Sequence, residues 1–183
     1  MIEIETRQVA EHYLLHAFPS GQRDTPLPCI VFYHGFTSSS LVYSYFAVAL
    51  AQAGFRVIMP DAPEHGARFN GDEQARMGHF WQILQQSMQE FTALREALRA
   101  ENWLLDNRLA VGGASMGAMT ALGIMTQHPE INCVASLMGS CYFTRLARTL
   151  FPPFAQDTPA RQAAFAHIIA PLAKWDVSQQ LAR

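Results

Sequence analysis

Residues 108–127 constrain this chain more than any other stretch. Arg108-Leu109-Ala110-Val111-Gly112-Gly113 is a mostly apolar run of strand length, and Met116 to Gln127 reads as a helix closed by His128-Pro129. Between them lies Gly113-Ala114-Ser115-Met116-Gly117, a G-x-S-x-G pattern. A strand that turns into a helix at a single residue lifts that side chain out of the sheet. The flanking glycines are needed because a Cβ there collides with the neighbouring strand and helix. Gly117, Ala118 and Ala121 are small enough to let the helix lie close on the sheet. Ser115 is therefore the candidate nucleophile, with Gly113 and Gly117 as the residues that permit its turn. The plainer alternative is a glycine-rich strand end whose serine merely caps a helix.

The rest of the chain supplies the layers around this turn. Residues 2–8 and about 12–18 read as two short strands joined by a polar turn and ended by Pro19-Ser20-Gly21. Cys29-Ile30-Val31-Phe32-Tyr33 is a continuous apolar run, as a strand buried on both faces requires. Ser38-Ser39-Ser40 offers caps for a helix running to about Ala53, where Gly54 stops it. Phe55 to Met59 is a further strand ended by Pro60, and a polar loop runs from Asp61 to about Gly71. Over residues 74–101 the apolar groups Phe80, Ile83, Leu84, Met88, Phe91, Leu94 and Leu98 recur at helical spacing, which predicts one long amphipathic helix. Cys133 to Met138 is another strand. Strands alternating with helices in this rhythm predict an α/β architecture, a mostly parallel sheet with helices on both faces. Residues 142–176 contain no strand and read as short helices broken by prolines, like a cap within a single domain spanning 1–183.

Tyr33-His34-Gly35-Phe36 is the second constellation. In folds with this kind of serine turn, one oxyanion-binding amide follows the nucleophile, here Met116, and the other comes from the loop after an earlier strand. Gly35 lets the backbone turn so that the Phe36 amide points at the developing charge. His34 reads as a packed, loop-serving histidine. Asp61-Ala62-Pro63-Glu64-His65-Gly66 brings a carboxylate and a histidine near a serine, but they precede Ser115, whereas the expected order is Ser, acid, His. A bracing role for this loop is the expectation. Met116, Met119, Met125 and Met138 read as core, and Cys141 as a small buried filler.

Composition excludes more than it selects. A formal net charge of −2 provides no basic footprint for nucleic acid or an anionic membrane. No apolar run reaches the ~18 residues of a membrane span. The N-terminus lacks a signal-peptide core. Cys29, Cys133 and Cys141 show neither a disulfide framework nor a metal-ligand spacing. The expectation is a cytoplasmic protein with no metal and no cofactor.

Tyr33-His34-Gly35-Phe36-Thr37-Ser38-Ser39, Met59-Pro60-Asp61-Ala62-Pro63, Gly112 to Ala118 and Met138-Gly139-Ser140 resemble the small α/β-hydrolases of the prolyl-oligopeptidase and dienelactone-hydrolase group. The resemblance runs along all 183 residues, through Val177-Ser178-Gln179-Gln180-Leu181-Ala182-Arg183. Serine at the elbow argues against the dienelactone hydrolases proper, which carry cysteine there. The resemblance implies an α/β-hydrolase fold and a serine esterase without cofactor. It implies a small-molecule substrate, a short- or medium-chain carboxylic ester or an acyl-CoA thioester. It also implies two further strands beyond Arg183 whose loops supply the triad acid and histidine. The chain is then the N-terminal part of such an enzyme, strongly impaired by itself, with the strand at 133–138 left as an exposed edge. Internal substitutes are poor: His128 ends the nucleophile's own helix, and His167 lies within the cap, with Asp157, Glu130 or Asp176 as conceivable acids. The rivals are a non-catalytic remnant or binding protein of the same fold and, more weakly, a peptidase.

Overall fold

The computed structural model of the chain describes residues 1–180, so the Leu181-Ala182-Arg183 end of the resembling segment lies outside the described residues. A six-stranded mixed sheet forms from β1 (Ile2–Val9), β2 (His12–Pro19), β3 (Leu27–Tyr33), β4 (Arg56–Pro60), β5 (Leu104–Ala114) and β6 (Cys133–Leu137), in the order β1-β2-β4-β3-β5-β6. β1 and β2 make an antiparallel hairpin, and β2 runs antiparallel to β4. The β4–β3, β3–β5 and β5–β6 pairs are parallel. The apolar runs are long because their strands are covered on both faces. Leu14, Cys29, Val31, Tyr33 and Ile58 face one core, whereas Leu15, Ala17, Phe32, Val57 and Met59 face the other. Helices α3 (Phe80–Ala100) and α4 (Met116–Gln127) cover the first face, and α1 (Ser44–Gln52) covers the second.

Two expected helices have different boundaries. α1 begins at Ser44 rather than after the serine triplet, and its N-cap residue is Tyr43. Residues 38–43 are occupied elsewhere: the Ser40 amide donates to Asp61, the Val42 amide to Ser39 Oγ and the Ser38 amide to the Gly35 carbonyl. The single helix expected over 74–101 is two, α2 (Glu73–Gly78) and α3, divided at His79. Asp72 caps the first by accepting from the Ala75 amide at 2.8 Å. The break turns α3 so that adjacent Phe80 and Trp81 are both buried, with Trp81 donating to the Leu150 carbonyl at 2.9 Å.

β5 starts four residues earlier than expected. Its register against β3 shifts between the Leu27↔Leu104 and Cys29↔Leu109 pairs, and Asp106 and Asn107 take positive φ there. Residues 142–180 carry α5 (Phe143–Leu146), α6 (Pro159–Ile169) and two 3₁₀ turns, and no strand. β6 pairs with β5 alone among the described residues, leaving Cys133, Ala135, Ser136 and Leu137 exposed on an open edge. Two of the four methionines expected in the core are outside it: Met125 lies on the outer face of α4, and Met138, just past the edge strand, is 85% exposed. Cys141 is half-buried, so it is not a core filler.

Candidate active site

β5 ends at Ala114 and α4 begins at Met116, so Ser115 alone makes the turn. Its backbone lies at φ 54°, ψ −118°, a region that L-residues avoid and that costs on the order of 1–3 kcal/mol. Hydrogen bonds on both sides hold it there. The Ser115 amide donates to the Leu137 carbonyl at 2.8 Å, and its own carbonyl accepts from the Met119 amide at 3.0 Å. Close packing leaves no room to relax. A Cβ on Gly117 would overlap the Tyr33 carbonyl and lie 2.6 Å from the His34 carbonyl oxygen, and one on Gly113 would lie 2.7 Å from the Tyr33 oxygen. The strained serine is itself exposed, and it lines neither of two cavities of about 410 and 440 Å³, which lie beside the β1–β2 hairpin.

The loop after β3 lies directly against this turn. A Cβ on Gly35 would sit 3.6 Å from the Ser115 Cβ and 2.8 Å from the Tyr43 hydroxyl, so only glycine leaves that approach open. Among the described residues neither the Phe36 nor the Met116 amide has an intramolecular acceptor, the combination that an incoming oxyanion needs. The Phe36 ring anchors the loop on the opposite side, against Phe80 at 5.0 Å and Phe151 at 5.2 Å.

The loop after β4 braces the loop after β3, as the residue order led one to expect. Asp61 accepts from the Ser40 amide at 2.8 Å and the Ala67 amide at 2.9 Å. His34 Nδ1–H donates to the Gly35 carbonyl at 2.8 Å, and its Nε2 accepts from the Ala62 amide at 3.0 Å. His65 Nδ1–H donates to the Pro63 carbonyl at 2.7 Å, and its Nε2 accepts from the Thr37 amide at 2.9 Å. Each ring therefore has one protonated and one accepting nitrogen, which defines a neutral tautomer. Burial pushes the His65 imidazole down to about 4 and lowers that of His34. With both nitrogens of each ring engaged, neither histidine is free to take a proton from Ser115.

The two histidines that follow Ser115 in the chain are no better placed. His128 follows the last residue of α4, roughly 20 Å from Ser115 at ~1.5 Å rise per residue. It is committed to Arg95 and Glu130. His167 is exposed on α6, and Asp157 is paired with Arg161. Asp176 is fully buried and holds Thr144 and Ser178, tying α5 to the segment after α6. Sequence reading missed Tyr43: its position before α1 carries no motif, and only the packing brings its hydroxyl to Gly35.

The family described as serine aminopeptidase, S33 (Hydrolase_4) matches residues 24–175. Esterase YjfP of Escherichia coli (strain K12) is 68% identical over 181 residues, which are 99% of this chain and 73% of that protein. TT1662 from Thermus thermophilus has a similar structure, with a TM-score of 0.65 at 20% identity over 94% of this chain and 68% of its own. A post-proline cleaving enzyme from Rickettsia typhi gives a TM-score of 0.67 at 15% identity over 98% of this chain and 27% of its own. Likeness at that level of identity concerns the fold alone. Among the described residues, no helix is long and apolar enough to cross a membrane.

Proposed function

The chain belongs to the serine aminopeptidase S33 family of hydrolases, and from that premise we propose that it carries the nucleophile and oxyanion site of a serine esterase. Ser115 Oγ attacks the carbonyl carbon of a short- or medium-chain carboxylic ester or acyl-CoA thioester. The carbonyl oxygen, now negative, is held by the Met116 and Phe36 amides. A histidine from outside the described residues, oriented by an acid also outside them, takes the serine proton and returns it to the leaving alcohol or thiol. Water then attacks the acyl-serine by the same route in reverse. Residues 142–176 cap the domain, with Phe151 resting on the oxyanion loop. The single observation that supports this reading is the pairing of a strained, exposed serine with two unpartnered amides beside it.

The second reading is a binding protein of the same fold that does no chemistry, favoured by the lack of a free histidine near Ser115 among the described residues. Fluorophosphonate labelling of the protein in its native host, with intact-mass measurement and mapping of the tagged peptide, separates the two. The tag is expected on Ser115, on a species heavier than the 20.4 kDa of this chain, and it disappears in Ser115→Ala together with ester hydrolysis. A tag on Ser115 at 20.4 kDa would mean that an internal residue supplies the base. An untagged serine, or ester turnover above a few percent in Ser115→Ala, refutes the nucleophile.

A further inference from the structure

The Phe36 amide points where its two neighbouring peptides allow. A trans peptide is planar, so the Gly35 carbonyl and the Phe36 N–H point in opposite directions. The His34 ring holds that carbonyl from one side. On the other side of Phe36, Thr37 sits at φ 60°, a left-handed conformation unfavourable for a β-branched residue. What secures it is the hydrogen bond from the Thr37 N–H to His65 Nε2. His65 is itself locked by donating Nδ1–H to Pro63 O, fully buried, with its ring 5.3 Å from both His34 and Phe36.

We infer that His65 is a positioning residue for the oxyanion site: its accepting Nε2 fixes the Phe36–Thr37 peptide and so aims the Phe36 amide at the oxygen of the carbonyl attacked by Ser115. This rests on the role proposed above for Phe36. His65 never touches substrate, and it acts only while its ring is neutral with the proton on Nδ1. A second proton on Nε2 would face the Thr37 N–H donor to donor and release the loop. The charged groups around the ring divide. Arg76 and a protonated His34 oppose its protonation, and Glu64, which pairs with His79, weakly favours it. Asp61 lies against His34 rather than His65. With burial dominant, the ring stays neutral at physiological pH, and the latch opens only toward pH 4.

Two substitutions in the protein purified from its native host test this. His65→Gln keeps an acceptor for the Thr37 amide but cannot be protonated, and His65→Leu removes the acceptor at similar size. For p-nitrophenyl acetate, His65→Leu is expected to lower kcat at least tenfold with KM within about twofold. One oxyanion donor is worth about 10²–10³ in kcat, and here it is misaimed rather than removed. His65→Gln is expected to restore kcat to within about threefold of wild type and to reduce the loss of activity on the acid side. Wild-type kcat in a folded His65→Leu protein, or a folded His65→Gln protein as slow as His65→Leu, overturns the inference. Amide NMR keeps this separate from failure of the nucleophile assignment. Even if Ser115→Ala shows that the serine does no chemistry, the Phe36 and Thr37 resonances must move in His65→Leu and return in His65→Gln, and unmoved resonances overturn the inference.

Discussion

Helix α4 contains two glycines whose replacement by alanine differs only in what the new methyl meets. In an exposed helix either change stabilises by about 0.8–1.0 kcal/mol, because alanine loses less backbone freedom. At Gly117 the Cβ overlaps the Tyr33 carbonyl and lies 2.5 Å from its carbon and 2.6 Å from the His34 carbonyl oxygen. These are backbone atoms of the end of β3 and the loop after it, and they have no rotamer to give. Overpacking of this kind costs about 1–3 kcal/mol where side chains can adjust, so a rigid wall belongs at or above the upper end. A net loss of about 2 kcal/mol or more is expected. At Gly123 the Cβ meets the Met88 sulfur and lies 3.1 Å from Phe143 Cε2. The thioether is flexible and can move aside, so the net change should be within about 1 kcal/mol of zero. Urea denaturation followed by tryptophan fluorescence measures both. With a slope of about 2 kcal/mol per M, Gly117→Ala should lower the midpoint by about 1 M and Gly123→Ala by less than half of that. Equal midpoints, or a neutral Gly117→Ala, would refute the claim that backbone contact at the elbow, rather than helix packing in general, excludes a side chain there.

Acid stability should show a histidine signature. Burial pushes His16 and His65 down to about 4 from the ordinary ~6.5. The unfolded chain binds these protons first, so their contribution is complete above pH 6.5 and is lost as pH falls from there toward 4. Urea midpoints should drop between pH 7 and pH 5, and His16→Gln should flatten the slope; a flat wild-type profile would contradict the buried neutral rings. Arg56 should be equally intolerant of change. Its guanidinium donates to the Gln22, Arg23 and Thr25 carbonyls and to His16 Nε2, and lies 4.7 Å over the Trp103 ring. Arg56→Met strands the buried His16 acceptor and unties three half-buried loop carbonyls, and it is expected to cost about 3 kcal/mol or more by thermal denaturation. A loss under about 1 kcal/mol would mean that water reaches them.

Much of this architecture could be read from the residues one after another. The strands at 29–33, 56–60 and 133–137 announce themselves as short apolar runs between turn residues, and the elbow follows from two glycines around Ser115. These features depend on local chemistry: period, turn residues and the absence of a side chain. The misplaced boundaries share a different cause. α1 starts late because Asp61, far along the chain, takes the Ser40 amide, and the 74–101 helix divides so that Phe80 and Trp81 can both reach the core. Met125 and Met138 read as core by composition, but which side of α4 and which end of β6 face solvent is a matter of packing.

The candidate site divides in the same way. Ser115, Gly113, Gly117, Gly35 and the bracing character of the 61–66 loop are legible in sequence because each belongs to a short pattern with one physical purpose. The tautomers of His34 and His65, the left-handed turn at Thr37 and the approach of the Tyr43 hydroxyl to Gly35 are not. They arise where two loops at the ends of adjacent strands meet. A hydrogen-bond partner 28 residues away is chosen by the sheet that brings the loops together, and nothing in either loop's own sequence specifies it.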